Sequence, residues 1–343
     1  MIKVFIIDDS IVVRNSFKRI LSGEKGIEIT GTAVNPIDAM TKLKEVGYPD
    51  VFILDIIMPK MDGLTYLRLL FEERPTPVII CSILTVDSSE KLLGALGMGV
   101  TALIEKPKTE FEDFLNEYKS DVIEQIKAYS KVDINHIKRI KKIEPILGKK
   151  KLVQKLSNKI IAIGSSTGGV PLLDEILSAL VPERPSIVIV QHMPKGFTGS
   201  FAKRLNKICK NSLVVEAKDN DVLKQNNVYI APGDKHIEII KENHIYVIKL
   251  KDFPRVDFHK PSATVLLDSV SKVSTSNAMG FILTGMGTDG AKGLLKMRQA
   301  GSKTYSLNEE SSLVYGMPKA AVKLGASMEE LSVSEIIQKI NEM

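Results

Sequence analysis

The sequence predicts an α/β protein of two domains, each organised around a sheet of mainly parallel strands. The first observation is length, because 343 residues can form two hydrophobic cores of ordinary size. The second is a set of unbroken apolar runs, such as residues 4–7 and 51–54, which are typical of strands buried on both faces. The third is that these runs alternate with helix-like stretches, as they do in parallel α/β sheets.

The first 125 residues are predicted to form one domain with a five-stranded parallel sheet of the doubly wound type. Pro36, directly after Asn35, suits the first turn of one of its helices. The predicted strands are 2–7, 27–33, 50–55, 77–82 and 100–105. The predicted helices are 11–22, 36–46, 63–73, 86–97 and 109–130.

A basic interdomain linker is predicted at residues 126–158. Residues 131–160 hold ten Lys and Arg against two acidic residues, an excess larger than the formal net charge of +6 for the whole chain. The remainder is therefore slightly acidic, so neither domain has the strongly basic character of a nucleic-acid-binding domain. We expect a solvated linker and no nucleic-acid partner.

The second domain is predicted at residues 159–343 and is again doubly wound and mostly parallel. Short strands between 228 and 249 have hairpin-like spacing, which predicts a mixed sheet. The predicted strands are 159–164, 186–191, 213–216, 228–231, 236–240, 245–249, 279–284 and 303–306. The predicted helices are 169–180, 198–208, 262–273, 288–300, 316–324 and 333–341.

Five polar residues follow four predicted strands of the first domain: Asp8, Asp9, Asp55, Ser82 and Lys106. The carboxyl ends of parallel strands share one edge, where open α/β sheets bind ligands. Three carboxylates there predict a site for a hard cation such as Mg²⁺. A lysine and a hydroxyl beside them would contact phosphoryl oxygens, so the set predicts phosphoryl transfer to a carboxylate.

These residues resemble the response-regulator receiver family over residues 1–125, which implies a flavodoxin-like fold. The resemblance implies that Asp55 is the phosphoacceptor, that Asp8 and Asp9 hold Mg²⁺ with Asp55, and that Ser82 and Lys106 form the switch pair. Further matches follow the phosphoacceptor, at Met58-Pro59 and Met61-Asp62-Gly63. Leu103 departs from the family, because receivers often carry an aromatic residue three positions before the lysine.

A second group of residues predicts a serine hydrolase. The turn Gly164-Ser165-Ser166-Thr167-Gly168-Gly169 satisfies G-x-S-x-G with Ser166 at its centre. By itself the turn fits a nucleophile or a nucleotide-binding loop equally well. His192 and Asp289 follow two other strands of the same domain, and they favour the hydrolase by supplying a base and an orienting acid. His136, His236, His244 and His259 are interpreted as surface or structural residues, and no His-based metal site or esterase cofactor is expected.

The second domain resembles the catalytic domain of the chemotaxis methylesterase family, CheB. The resemblance implies hydrolysis of glutamate methyl esters on methyl-accepting chemotaxis receptors, deamidation of selected receptor glutamines, and a chemotaxis histidine kinase as phosphodonor. It also implies that Met286 supplies a backbone N–H to the oxyanion. Ser306-Leu307-Asn308-Glu309 departs from the family pattern. The matching phrases are the Ser166 turn, Gln191-His192-Met193-Pro194, Ala231-Pro232-Gly233, Lys260-Pro261-Ser262, residues 284–290 and Gly316-Met317-Pro318.

Two hypotheses follow on regulation and location. Phosphorylation of Asp55 is expected to uncover the Ser166 site, and a cytoplasmic location without membrane insertion is expected. The latter rests on the absence of an apolar run of ~20 residues, of a signal-peptide layout, and of a disulfide pattern at Cys81 and Cys209. The alternatives are a receiver fused to a DNA-binding or adaptor module, or to a nucleotide-binding enzyme.

Overall fold

The computed structural model describes residues 1–83, 92–93, 100–106, 111, 115, 119–132 and 155–343. Contacts divide the chain into two compact units, Met1–Arg139 and Ile140–Met343, which we call the N-terminal and C-terminal units. In the described part of the chain, no helix is long and apolar enough to span a membrane.

The N-terminal unit is a five-stranded sheet in the order β2-β1-β3-β4-β5, and all neighbouring strands are parallel. Its strands are β1 (Ile2–Ile7), β2 (Ile27–Ala33), β3 (Val51–Leu54), β4 (Val78–Ser82) and β5 (Val100–Glu105). Its helices are α1 (Ile11–Leu21), α2 (Pro36–Val46), α3 (Gly63–Glu73) and α4 (Lys119–Tyr129). The predicted helix 86–97 lies outside the described residues apart from 92 and 93.

The ends of these helices follow from local sequence. Ser10, Asn35 and Asp62 precede α1, α2 and α3, and each side chain accepts a hydrogen bond from a backbone N–H of the first turn. Residues 4–7 of β1 pair with residues 51–54 of β3, and all of them are buried, which accounts for the unbroken apolar runs in these two strands. The helix α4 runs past residue 125, and most of the predicted linker lies outside the described residues.

The C-terminal unit is a seven-stranded, wholly parallel sheet in the order β14-β13-β12-β6-β7-β9-β8. Its strands are β6 (Ile160–Ser165), β7 (Ser186–Gln191), β8 (Leu213–Glu216), β9 (Asn227–Ile230), β12 (Ala278–Ile282), β13 (Lys303–Leu307) and β14 (Glu329–Leu331). Its helices are α5 (Gly169–Ser178), α6 (Phe197–Ile208), α7 (Ala263–Val273), α8 (Ala291–Gln299), α9 (Met317–Lys323) and α10 (Val333–Asn341).

The strands β10 (His236–Glu242) and β11 (Ile245–Lys251) form a separate antiparallel hairpin. The predicted mixed sheet is therefore wrong in one respect, because β9 joins the parallel sheet and the hairpin does not. The reason is that β10 packs on α7, where the Ser269 hydroxyl accepts a hydrogen bond from Ile239 N at 2.9 Å. The fold class of two doubly wound α/β domains is confirmed.

The strand β6 lies between β7 and β12 at the centre of this sheet, where the strand order reverses. Gly164 near the end of β6 is in register with Val190 on one side and Ile282 on the other. The residues that follow these three strands therefore share one edge of the sheet. An edge of this kind is where open α/β sheets bind ligands.

Candidate functional sites

The structure brings the three predicted metal ligands of the N-terminal unit together. One ligand oxygen each from Asp8, Asp9 and Asp55 lies within 4.8 Å of the others, and these residues follow β1 and β3. The Arg14 guanidinium donates to the backbone oxygens of Asp8 (2.6 Å) and Asp9 (3.0 Å), which fixes the turn that carries both carboxylates. Asp8 and Asp55 are buried, whereas Asp9 is exposed.

Lys106 joins this cluster from the end of β5. Its ammonium lies 2.7 Å from Asp8 Oδ2 in an ion pair without hydrogen-bond alignment, and it donates to Asp55 Oδ2 at 2.5 Å. Its backbone N–H donates to the Ser82 carbonyl oxygen at 3.0 Å, so Ser82 and Lys106 are neighbours as the sequence predicts. The Ser82 side chain is buried at the same edge.

The charge of this site is incompletely balanced. Burial raises the pKa of Asp8 to about 6 against the attraction of Lys106, and the negative charge of Asp55 adds to the effect. Burial would lower the pKa of Lys106, but Asp8 and Asp55 outweigh it and hold that pKa above its ordinary value. One ammonium therefore faces several carboxylates, and the donor set of carboxylate oxygens fits a hard divalent cation.

The loop that carries Asp55 is held by its own backbone. Asp55 Oδ1 accepts hydrogen bonds from the backbone N–H groups of Ile56 (2.6 Å) and Ile57 (3.2 Å). Gly63 at the start of α3 packs directly on this loop, where a β-carbon would overlap the Asp55 carbonyl oxygen. Asp55 Oδ1 is occupied by these backbone contacts. The other oxygen, Asp55 Oδ2, contacts only the Lys106 ammonium among the described residues, and it is the oxygen that is not bound by the loop.

In the C-terminal unit, Ser166 lies in the turn between β6 and α5. Its backbone N–H donates to the Thr284 carbonyl oxygen at 3.0 Å, and its carbonyl oxygen accepts from Gly169 N (2.9 Å) and Gln191 Nε2 (2.7 Å). Three hydrogen bonds thus fix the backbone of a half-buried serine, whose hydroxyl has no partner among the described residues. This is the arrangement of a presented nucleophile.

His192 follows β7, and its Nε2 lies 2.8 Å from Asp289 Oδ2. Asp289 is ionised, so the imidazole proton must lie on Nε2 for that hydrogen bond to form. Nδ1 of His192 is then a lone-pair acceptor, and it is buried with no hydrogen-bond partner in the described ranges. A general base needs a free imidazole lone pair, and in this tautomer Nδ1 is the His192 atom that meets the requirement.

Asp289 is held at the N-terminus of α7. Its carboxylate accepts from Ser262 Oγ (2.7 Å), Ala263 N (2.7 Å) and Thr264 N (2.9 Å), in addition to His192. Burial alone would raise its pKa, but the hydrogen bonds from His192, Ser262 and Thr264 outweigh burial and hold that pKa well below its usual range. The helix N-terminus adds to the stabilisation of the negative charge.

Met286 lies in the turn after β12, next to Gly285, which packs on Ser166. A β-carbon on the preceding residue, Gly285, would lie 2.7 Å from Ser166 Cβ and would overlap the Met317 sulfur. Over the described ranges, the backbone N–H of Met286 has no hydrogen-bond partner. An N–H of this kind next to a serine can stabilise an oxyanion.

Sequence reasoning missed two contributors to this site, Ser262 and His259. Ser262 caps α7 and binds Asp289, and the pattern Pro261-Ser262 before a helix was the available signal. His259 stacks on His192 with ring centroids 3.6 Å apart and an interplanar angle of 14°. No local pattern marks His259, because the contact joins residues far apart in the chain.

The two units together define a class of protein, an acidic phosphoacceptor-type α/β domain followed by a serine-hydrolase-type α/β domain. The response regulator receiver domain profile matches residues 4–117, and the CheB methylesterase profile matches residues 161–340. The chain therefore belongs to the CheB methylesterase family, with a receiver domain in front of the catalytic domain. The family predicted from the sequence is confirmed, and so is the prediction that the protein is an enzyme of this family.

Three similar proteins support this assignment. The protein-glutamate methylesterase/protein-glutamine glutaminase 3 of Leptospira interrogans is 45% identical over 99% of both chains. The protein-glutamate methylesterase/protein-glutamine glutaminase 2 of Shewanella denitrificans is 42% identical over 98% of this chain and 97% of its own. The crystal structure of the Thermotoga maritima CheB methylesterase catalytic domain is 38% identical with a TM-score of 0.53, covering 55% of this chain and 99% of that one.

Proposed function

We propose that this protein is a phosphorylation-activated protein-glutamate methylesterase that also deamidates selected glutamines. Its proposed substrates are the methyl-accepting receptors of bacterial chemotaxis, so that its activity gives sensory adaptation. The observation that carries the proposal is the imidazole of His192, with Nε2 bound to the ionised Asp289 and Nδ1 free at the sheet edge that carries Ser166. Membership of the family supports the choice of ester and amide side chains as substrates.

In the proposed reaction, Ser166 Oγ attacks the side-chain carbonyl carbon while His192 Nδ1 takes the hydroxyl proton. The backbone N–H of Met286 stabilises the oxyanion, and Asp289 stabilises the imidazolium. His192 then protonates the leaving methoxide, or, when the substrate is a glutamine, the amide nitrogen, which leaves as ammonia. Water attacks the acyl-Ser166 ester by the reverse sequence, which releases a glutamate side chain.

In the N-terminal unit, we propose that Asp55 accepts a phosphoryl group from a chemotaxis histidine kinase. Asp8, Asp9 and Asp55 would hold Mg²⁺, which supplies charge neutralisation of the phosphoryl oxygens when bound. Lys106 would exchange its contact with Asp55 Oδ2 for one with a phosphoryl oxygen, and the Ser82 hydroxyl would hydrogen-bond to another. Their common position at the ends of β4 and β5 supports this pairing.

The coupling between the two sites is part of the proposal. A chain that carries a phosphoacceptor domain (1–125), a linker (126–158) and a hydrolase domain (159–343) is suited to switching the second by the first. Phosphorylation of Asp55 is expected to increase access of the receptor to Ser166. In this proposal the kinase and the receptor tails meet the protein in the cytoplasm.

The test is methanol release from methylated receptor membranes by the full chain, with and without a small-molecule phosphodonor and Mg²⁺. We expect methanol release from the wild type, a large increase with the phosphodonor, and no increase for Asp55→Asn. Ser166→Ala should abolish methanol release while leaving phosphorylation of Asp55 intact. Turnover by Ser166→Ala would remove Ser166 as the nucleophile, and an unchanged rate with phosphodonor would remove the coupling.

A further inference from the structure

His259 contacts the catalytic imidazole face to face. The ring centroids of His192 and His259 are 3.6 Å apart and their planes are inclined by 14°, which is van der Waals contact over the whole ring. The hydrogen bond from Nε2 to Asp289 holds only one edge of the His192 ring, because Nδ1 has no partner among the residues described. The face of His259 therefore adds a second constraint on the plane of a ring that has a single hydrogen bond.

His259 is itself held in a closed turn. The Val256 N–H donates to the His259 carbonyl oxygen (3.0 Å), and the His259 N–H donates to the Val256 carbonyl oxygen (2.9 Å). The two residues between them, Asp257 and Phe258, have positive φ angles of 48° and 67°. A two-residue hairpin turn of this kind requires positive φ at both central positions and is normally formed by Asn-Gly or Asp-Gly.

This turn is unfavourable on its own account. A phenylalanine with positive φ is a backbone outlier, and Phe258 is also 77% exposed to solvent. Strain of this kind persists where the surrounding structure imposes it, and it is concentrated at functional sites. The position of His259 against His192 is the contact that such a turn secures.

The turn is tied to the same helix end that holds Asp289. The Thr264 hydroxyl donates to Asp257 Oδ2 at 3.1 Å and accepts from the Gly290 N–H at 2.7 Å. The turn, the N-terminus of α7 and the Asp289 turn are therefore linked through one side chain. Displacement of His259 relative to Asp289 would break one of these bonds.

The charge of His259 suits contact with a general base. Burial lowers the pKa of His259 to about 3, His192 and Arg255 act in the same direction, and Asp289 opposes them. His259 is therefore neutral at neutral pH. An imidazolium that forms on His192 during the reaction then faces a neutral ring and not a second cation.

We infer that His259 is a positioning residue, which holds the plane of the His192 imidazole so that Nε2 stays on Asp289 and Nδ1 stays available to Ser166. This inference rests on the proposed function for its kinetic consequence. Its structural content, the orientation and tautomer of His192, can be measured without any turnover.

The experiment compares His259→Phe, which keeps a flat neutral ring, with His259→Leu, which keeps apolar bulk without the ring face. His244→Asn, at an exposed turn position with φ of 66°, is the control for loss of a histidine. The readouts are kcat and KM for methanol release, and the ¹⁵N spectrum of histidine-labelled full-length protein, which reports the His192 tautomer.

We expect His259→Leu to lower kcat about 10- to 100-fold with KM little changed, since misplaced catalytic groups cost rates of this order. Its His192 signal should change from the single Nε2-protonated form of the wild type to a mixture of tautomers. His259→Phe and His244→Asn should keep the wild-type kcat within a few-fold and the single tautomer. If His259→Leu does not fold, His259→Gln takes its place in the same comparison.

Two results would overturn the inference. One is wild-type kcat and a single tautomer in His259→Leu. The other is equal loss of kcat in the Leu and Phe variants with the His192 spectrum unchanged, which would assign the role to a ring nitrogen of His259. If the wild type released no methanol, the proposed function would fail, while the ¹⁵N comparison would still decide the positioning role.

Discussion

Two buried carboxylates, Asp8 and Asp289, stand at the carboxyl edge of two parallel sheets and behave in opposite ways. Both residues are 1% exposed to solvent. The pKa of Asp8 is raised to about 6, whereas the pKa of Asp289 is held well below its usual range. Burial raises the pKa of both, so burial does not explain the difference.

The difference lies in the hydrogen-bond donors. Asp289 accepts from Ser262, Ala263, Thr264 and His192, and all four contacts favour the carboxylate. Asp8 has one hydrogen bond from Ser10 N and an ion pair with Lys106, which it shares with another carboxylate. A carboxylate whose oxygens all accept hydrogen bonds stays ionised and can orient a neighbour. A carboxylate with few donors is suited to bind an incoming cation.

The largest expected effect is that of Asp289→Asn on catalysis. The amide would lose the negative charge that stabilises the imidazolium and would favour the wrong His192 tautomer, so kcat should fall about 10³- to 10⁴-fold. Methanol release measures this loss, with Asp268→Asn on α7 as a control whose kcat should not change. A variant that kept a tenth of the wild-type kcat would show that Asp289 is not the orienting acid.

The next effect is a gain in stability from Asp8→Asn in metal-free buffer. The folded-state pKa of Asp8 is raised from 3.8 to about 6, so the ionised form present at pH 7 destabilises the fold. Replacing it should raise the free energy of unfolding of the N-terminal unit by about 1–3 kcal/mol, since one pKa unit corresponds to about 1.4 kcal/mol. Hydrogen exchange of β1 and β3 amides measures this gain.

The control for Asp8→Asn is Asp38→Asn. Burial would raise the pKa of Asp38, but Lys42 and the Val34 N–H lower it overall, so this substitution should not stabilise the protein. Addition of Mg²⁺ should protect the wild type from exchange and leave Asp8→Asn unchanged. If, without metal, the β1 and β3 amides of Asp8→Asn exchanged faster than those of the wild type, the contrast between Asp8 and Asp289 would be contradicted.

A smaller effect is expected when Asp289 loses one donor. Ser262→Ala removes the hydroxyl that donates to Asp289 Oδ1 and that caps α7 by accepting from Val265 N at 3.4 Å. The free energy of unfolding should fall by about 1–2 kcal/mol, as for other lost caps and buried hydrogen bonds. Thermal unfolding measures it, and Ser262→Thr, which keeps a hydroxyl, should lose less; equal loss in both variants would argue against the hydrogen bond as the cause.

The last effect, similar in size to the loss in Ser262→Ala, concerns the pH dependence of stability near the His192 imidazole. The pKa of His259 is lowered to about 3 in the folded state. In the unfolded chain this histidine has its ordinary pKa of about 6.5, so below that pH the unfolded chain binds more protons than the folded one. Stability should therefore fall as the pH drops from 7 to 5, by about 1–2 kcal/mol from this residue. His259→Phe should show a shallower fall in urea unfolding than the exposed His244→Phe; equal slopes would rule out a neutral His259.

Sequence reasoning located most of both sites because strand ends are visible in a sequence. Asp8, Asp55, Lys106, Ser166 and His192 each follow an apolar run, and parallel strands bring such positions to one edge. The structure confirms that the carboxylates and Lys106 meet, and that His192 meets Asp289. Their roles in phosphorylation and hydrolysis remain predictions.

The parts that sequence reasoning missed are set by tertiary packing. Ser262 is the N-cap of α7, which packs on both β10 and β6, and His259 lies in the turn that precedes this helix. The hairpin itself has the alternation of any strand pair, so nothing in residues 236–251 indicates that it leaves the main sheet. The strand β14 has three residues, Glu329–Leu331, two of them acidic, which is too short and polar for a pattern to show.

The hydrogen bond from Ser166 N to the Thr284 carbonyl has a consequence for protein engineering. It ties the serine turn to the loop that carries Met286, and Gly285 between them lies against the serine itself. The two loops are therefore expected to move together, which would preserve the spacing between the Ser166 hydroxyl and the Met286 N–H. A library designed to alter the acyl substrate should therefore keep residues 284–286 fixed and vary the loops around them.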